Sequence, residues 1–463
     1  MSALSRRSSA AERGACSTIR SCLMALVTLA ILFSASAASA QTSPSPAPEM
    51  TDEYIAAVVD STAAALVKAY VYQDVALEME ERIRGRLDDG AYDELATPMD
   101  LVQAVTEDLR DVSGDRHISV RAFPPEVMQE IVTQNEDPEA AREARRRELE
   151  RQNFHFKKLE ILPGNVGYLR MDQLPDASFA GPTAVAAMNF LGHTDALIMD
   201  LRYNGGGSPS LIMLLFGYLF DGSTNYNNWL EVGDECGDQH WSLSYVPGPS
   251  LSDVPVYVLT SGYTFSGAED ISYSLQSLGR ATIVGETTGG GAHPVNGRQF
   301  PSLNIIVGVP FAYAKNPITE DNWEGTGVVP DIEVAADAAL DTAHREALLA
   351  IIETTDDEEY LADLEWAAGG LDAQLNPMTL DESVLEGYAG SYGERHLRVE
   401  DGQLLYSRGD GPTRVCIPMS ETLFYFEGLD YFRLEVVLDN EGEPTKLIGR
   451  YRGRPADESP RTD

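Results

Sequence analysis

Thr260-Ser-Gly-Tyr-Thr-Phe-Ser-Gly-Ala-Glu269 decides how this chain is read. Just before it, residues 256–259 form a short β-branched, apolar run suited to the middle of a parallel sheet. Pro255 stands at the strand start, where a missing donor is tolerated. After it, residues 268–278 carry the apolar spacing of a helix. A strand that breaks this sharply into a helix puts Ser266 at the carboxyl edge of a sheet, beside the free N–H groups of a helix start. Such groups stabilise developing negative charge, as acyl transfer requires. Ser266 is therefore a candidate nucleophile. With Glu269 three residues on, it also reads as a capping box, in which the serine oxygen satisfies an orphan amide. The decapeptide alone does not choose between the two.

Working outward, strand-like and helix-like runs alternate. Residues 158–162, 165–171, 196–201, 256–259, 281–284 and 303–309 read as strands, and 178–191 and 211–220 as helices. This alternation predicts an α/β layered domain with a largely parallel sheet, whose ligands sit beyond the carboxyl ends of the strands. Three further segments fall at those ends. Asp200-Leu-Arg-Tyr-Asn-Gly-Gly-Gly207 opens a helix, and its glycines let backbone amides approach a ligand without interference from Cβ. A phosphate-cradling loop is the rival reading, but the lysine and spacing of a P-loop are missing. Gly285-Glu-Thr-Thr-Gly-Gly-Gly-Ala-His293-Pro is a second glycine-rich loop after a strand. Asn322-Trp-Glu324-Gly-Thr-Gly-Val-Val-Pro-Asp331 sets a carboxylate beside a glycine turn.

The flanking regions differ in kind. Residues 1–40 carry Arg6, Arg7, Arg13 and Arg20, then an apolar run, then small residues ending at Ala40, the pattern of a cleaved signal peptide and an exported protein, periplasmic or extracellular. The apolar run is shorter than the roughly 20 residues that span a bilayer, so no membrane insertion is expected after processing. Residues 41–50 are a Pro/Ser linker. Residues 51–125 read as an N-terminal helical bundle ending at Ser113-Gly-Asp-Arg-His117, and 126–155 as an exposed connector helix. The catalytic domain is expected over 156–350, a helical linker over 351–380, an antiparallel β domain over 381–453 and a disordered tail over 454–463.

Charge narrows the partners. The chain has 34 basic and 73 acidic residues; removal of residues 1–40 takes four Arg and one Glu, leaving 30 against 72 and a net charge of −42. So acidic a surface speaks against nucleic acid and anionic membranes. Only Cys236 and Cys416 lie beyond residue 40, and neither a disulfide framework nor a zinc pattern emerges from the Cys and His spacing.

Taken together, Asp200-Leu-Arg-Tyr-Asn-Gly-Gly, Thr260-Ser-Gly-Tyr-Thr-Phe-Ser-Gly-Ala-Glu, Val284-Gly-Glu-Thr-Thr-Gly-Gly-Gly and Gly325-Thr-Gly-Val-Val-Pro-Asp resemble the tail-specific, or C-terminal processing, serine peptidases over residues 53–350. The resemblance implies a crotonase-like (ClpP/crotonase) catalytic fold, a protein or peptide substrate, and neither metal nor organic cofactor. One branch of that family uses a lysine base about twenty-five residues after the nucleophile, where this chain has Gly291. The branch of tricorn protease and interphotoreceptor retinoid-binding protein takes a histidine after the N-terminal helices and a glutamate before a Gly-x-Gly-Val turn. These map onto His117 and Glu324. There a serine precedes the histidine and links it to the glutamate; Arg116 stands in its place.

The resulting expectation is Ser266 as nucleophile, His117 as general base, Glu324 as the third member, and the amides of Gly206 and Gly267 as oxyanion hole. Serine needs a neighbour to take its proton, and an imidazole suits that task. Of seven histidines, His155, His193, His240, His344 and His396 lie in segments that read as surface or connector, and His293 is the rival base. Arg116 favours an alternative, a catalytically inactive protein that binds ligands or peptides on the same fold.

Overall fold

The computed structural model describes residues 48–232 and 237–463. The predicted signal peptide, most of the 41–50 linker and Cys236 lie outside these residues. The described residues fall into two compact units: those of Met1–Thr133, Asn228–Gln239 and His293–Lys315, and those of Gln134–Asn227, His240–Ala292 and Asn316–Asp463. Among them no helix is long and apolar enough to cross a membrane.

In the first unit the helices Asp52–Ala69, Gln73–Asp88 and Pro98–Ser113 form the expected bundle. Thr97 and Asp100 cap the third helix reciprocally, and Gly114 ends it at φ +68, a conformation that glycine adopts without strain. The bundle does not close its own core. Val58, Leu66, Val105 and Leu109 pack with Ile305, Val307 and Val309 of the strand Ile305–Pro310. That strand pairs antiparallel with Ser119–Ala122 on one side and Val295–Phe300 on the other. The apolar run over 303–309, expected to close the α/β alternation, therefore belongs to a separate sheet. Apolarity marks a buried strand but does not name its neighbour.

The second unit is built on a six-stranded sheet of spatial order Ile332–Glu333, Thr282–Gly285, Val256–Thr260, Ala196–Asp200, Val166–Met171 and Phe156–Leu162. All neighbours are parallel except the last pair. Both faces are covered, which explains the unbroken apolar runs. Leu197, Met199 and Val258 pack with Leu211, Leu215, Ala268 and Ile271 on one face. Ala196, Ile198, Leu259 and Val284 pack with Ala343, Ala347 and Leu348 on the other.

Three boundary expectations change. The connector over 126–155 is two helices, Pro125–Glu136 and Pro138–Arg151. The stretch expected to be a helical linker contains the helix Glu358–Leu375, which buries Leu364 and Ala368 in the sheet's second core. Its Trp366 Nε1 donates to Asp430 O at 2.7 Å in the β module that follows, so it packs as well as connects. The tail expected to be disordered is a strand: Arg454–Pro460 pairs antiparallel with Pro444–Tyr451 at the edge of a five-stranded sheet. Its charged residues and prolines lack an apolar pattern because an edge strand with little burial needs none. The β module itself is present as two antiparallel sheets around Leu397, Phe424, Phe426 and Leu434.

Candidate active site

The serine corner forms as its sequence predicts. The strand Val256–Thr260 is buried along its length, and the helix Gly267–Ser277 begins directly after Ser266. Ser266 itself has φ 55° and ψ −122°, which few residues other than glycine adopt. Strain of this kind costs roughly 1–3 kcal/mol and persists only where the surroundings enforce it. Here they do. The Ser266 N–H donates to Glu269 Oε2 at 2.7 Å, Phe265 N–H donates to Asn204 O at 3.1 Å, and Thr264 Oγ1 donates to Leu201 O at 2.9 Å.

Gly206 lies hard against this corner. A Cβ at position 206 would stand 2.7 Å from Gly267 N and 2.8 Å from Ser266 Cβ, so only glycine fits. Asn204, fully buried, fixes the approach: its Nδ2 donates to Met171 O at 2.9 Å and its Oδ1 accepts the Gly206 N–H at 2.8 Å. Of the two amides expected to form an oxyanion hole, that of Gly206 is thus engaged by Asn204. At the root of the same loop, Asp200 and Arg202 form a buried ion pair at 2.7 Å, and Tyr168 Oη donates to Asp200 Oδ2 at 2.6 Å.

Glu269 does more than cap a helix. It is fully buried, and besides the Ser266 N–H it accepts Thr288 Oγ1 at 2.5 Å, Gly290 N–H at 2.7 Å and Gly291 N–H at 2.9 Å. Burial pushes its carboxyl above the usual range, and those hydrogen bonds oppose the shift. Glu324 grips the same loop further on, with Oε2 accepting the Ala292 N–H at 2.6 Å. Next to it, Trp323 Nε1 donates to Gly291 O at 2.8 Å, and Gly325 N–H donates to Gly290 O at 3.0 Å. Residues 288–292 are therefore held between two carboxylates.

The two candidate bases, His117 and His293, lie in the first unit. After Gly114, Asp115 makes a side-chain turn in which Oδ1 accepts the His117 N–H at 2.9 Å. His117 leads into the strand Ser119–Ala122, and burial pushes its imidazole down to about 4, against the pull of the Asp115 charge. It is thus neutral across the physiological range. Arg116 is exposed, and its carbonyl accepts from Arg110 Nη2 at 2.9 Å. His293, 2% exposed, places Nδ1 2.8 Å from Asp115 Oδ2 and Nε2 3.4 Å from Tyr72 Oη. His155 and His344, expected near the surface, are buried, and His344 Nε2 bonds to Pro163 O at 2.8 Å.

The structure thus brings Ser266, Gly206 and Gly267 into contact and ties Glu324 to the loop that Glu269 also holds. His117 is placed beside Asp115. Sequence reading missed Asp115 and Thr288 altogether and saw Glu269 only as a cap. The available signals were the Asp-x-His spacing before a strand and the helix-capping glutamate itself.

Solved structures with some similarity to the chain include the photosystem II D1 C-terminal processing protease, at 14% identity over 62% of this chain and 95% of that one, with a TM-score of 0.38. The tricorn protease matches at 15% over 65% and 37%, TM-score 0.43, and a lipoprotein from Streptococcus agalactiae at 12% over 66% and 99%, TM-score 0.41. Residues 165–334 match the model of peptidase family S41, and residues 51–162 match that of the N-terminal domain of Peptidase_S41 in eukaryotic IRBP. With more than half of its length matched by these two models of one family, the chain belongs to peptidase family S41, the tail-specific serine peptidases, and is a serine-type hydrolase.

Proposed function

We propose that this protein is an exported peptidase that cleaves peptide bonds through an acyl-enzyme on Ser266. His117 takes the Ser266 hydroxyl proton as the oxygen attacks the substrate carbonyl. The tetrahedral oxyanion is met by the Gly267 N–H at the helix start, and by the Gly206 N–H once that amide is released from or shared with Asn204. The imidazolium then gives its proton to the leaving amine, and water repeats the sequence to free the acyl group. Glu324 is assigned the place of third member. Its bond to Ala292 indicates that it acts by holding the 288–292 loop as well as through any contact with substrate. A crotonase-like layering of the catalytic domain accompanies this reading, and residues 1–40 support export.

The single observation that carries the reading is the backbone of Ser266, a non-glycine residue at φ 55°, ψ −122° at a helix N-terminus, with Gly206 pressed against it. A residue that only capped the helix would sit in relaxed extended backbone. The test is labelling with a fluorophosphonate. Wild-type protein should be labelled stoichiometrically, and Ser266→Ala should take no label while keeping its circular dichroism and melting temperature. Equal labelling of the variant removes Ser266 from the mechanism. Failure of labelled, folded wild-type protein to cleave casein or any member of a peptide library would instead support a ligand-binding protein.

A further inference from the structure

In the first unit one carboxylate stands between two imidazoles. Asp115 is 1% exposed. Its Oδ2 is 2.8 Å from His293 Nδ1 and accepts Tyr70 Oη at 3.3 Å. Its Oδ1 accepts the main-chain N–H of His117 at 2.9 Å and lies 3.9 Å from His117 Nδ1. One side chain thus fixes both the backbone and the electrostatic surroundings of His117. His293 is fixed in turn. Both of its ring nitrogens are engaged, Nδ1 by Asp115 and Nε2 by Tyr72, and the Tyr72 and Tyr313 rings pack on it with centroids at 5.5 and 6.0 Å. An imidazole committed at both nitrogens serves poorly as a proton acceptor, but well as a clamp on the carboxylate beside it.

We propose that Asp115 is a positioning residue for His117, and that His293 acts on the reaction chiefly by holding Asp115 in place as an anion. The proposal rests on the reading of His117 as general base. A carboxylate near the base orients the ring and stabilises the imidazolium formed when the proton arrives. Arg116, which stands between the two, is exposed. Among the described residues of this unit, the other titratable groups around the pair are Tyr70, Tyr72, Tyr313 and Arg110, with Arg116 and Arg121 beside Arg110. Arg110 spends its Nε on Ile118 O at 2.9 Å; burial first, then the charges of His293 and Arg110, work against protonation of His117. Asp115 is the group that works for it.

The experiment compares Asp115→Asn, His293→Gln, His293→Ala and the double variant Asp115→Asn/His293→Ala in the full chain, with kcat and KM measured on a peptide substrate. Asp115→Asn should lower kcat by about 10²-fold or more with KM changed by less than about threefold, and should move the acid limb of the pH–rate profile downward. His293→Gln, which can still donate to Asp115, should keep kcat within about tenfold of wild type, whereas His293→Ala should fall close to Asp115→Asn. The double variant should be no worse than Asp115→Asn alone, because the two act in series. His293→Gln as inactive as His293→Ala, with Asp115→Asn near wild type, would make His293 the base and overturn the proposal. If Asp115→Asn does not fold, the two His293 variants decide the matter. NMR titration of the His117 ring separates this claim from the one beneath it. His117→Ala retaining activity ends the general-base reading, while a His117 titration unchanged by Asp115→Asn ends the positioning claim.

Discussion

Two glycine-rich loops follow parallel strands of one sheet, Gly205-Gly-Gly207 after Ala196–Asp200 and Gly289-Gly-Gly291 after Thr282–Gly285, and they are held by opposite means. The first is positioned by contact and by a neutral amide: Gly206 touches the serine corner, and Asn204 carries its hydrogen bonds. The second is positioned by carboxylates, with the N–H groups of Gly290 and Gly291 directed at Glu269 and that of Ala292 at Glu324. Amides already spent on carboxylates cannot receive a developing oxyanion. Similar sequence therefore conceals different anchoring: in the proposed mechanism the first loop faces the oxyanion, through an amide that must first leave or share Asn204, and the second belongs to the frame around the serine's strained backbone.

The sharpest way to break this contrast is Gly206→Ala. The added Cβ would meet backbone at 2.7 Å in a loop at φ +97°, so kcat/KM should fall by at least about 10²-fold, with a stability cost of about 1–3 kcal/mol. Steady-state kinetics with thermal melting would check it, and activity near wild type would show that the loop is not part of the reacting centre. Next in size is the comparison of the two carboxylates. Glu269→Gln sets an NH2 group among four donors and should cost about 2–4 kcal/mol, with slower fluorophosphonate labelling of Ser266. Glu324→Gln disturbs one loop amide and should cost about 1 kcal/mol. Urea unfolding of the pair ranks them, and the reverse order would mean that the loop hangs mainly on Glu324.

The smallest effect on catalysis is expected at Asp270, beside Glu269 on the same helix. It accepts from Asn227 Nδ2 at 2.9 Å and Ser274 Oγ at 3.0 Å, and burial pushes its carboxyl from 3.8 up to about 7. With the folded value above the unfolded one, its contribution to stability is full below about pH 4 and is lost as the pH rises through about 7, on the order of 4 kcal/mol in all. Asp270→Asn should flatten that slope between about pH 4 and 7 while leaving kcat within about threefold of wild type. An unchanged slope would show that the carboxylate is already charged when buried.

What the sequence disclosed and what it hid divide along a physical line. The Ser266 corner was legible because a strand, a turn and a helix leave their periods in consecutive residues. The packing of glycine against serine followed from the motifs that flank them. The double role of Glu269 was hidden because its partners lie about twenty residues downstream, and a capping box already explains Ser-x-x-Glu by itself. Asp115 was hidden inside a turn, where aspartate is ordinary. The strand 305–310 was recognised as buried but assigned to the wrong sheet, since pairing partners are set by the whole fold. Arg454–Pro460 was missed because an edge strand can be polar throughout.

A run of three glycines is ordinarily a mark of looseness, yet here two amides of the run at 289–291 are nailed to the buried carboxylate of Glu269 and the third to the Thr264 carbonyl. Its protons should accordingly trade with deuterated solvent as slowly as those of the central strands, which makes the most flexible-looking letters of the chain among its stiffest parts.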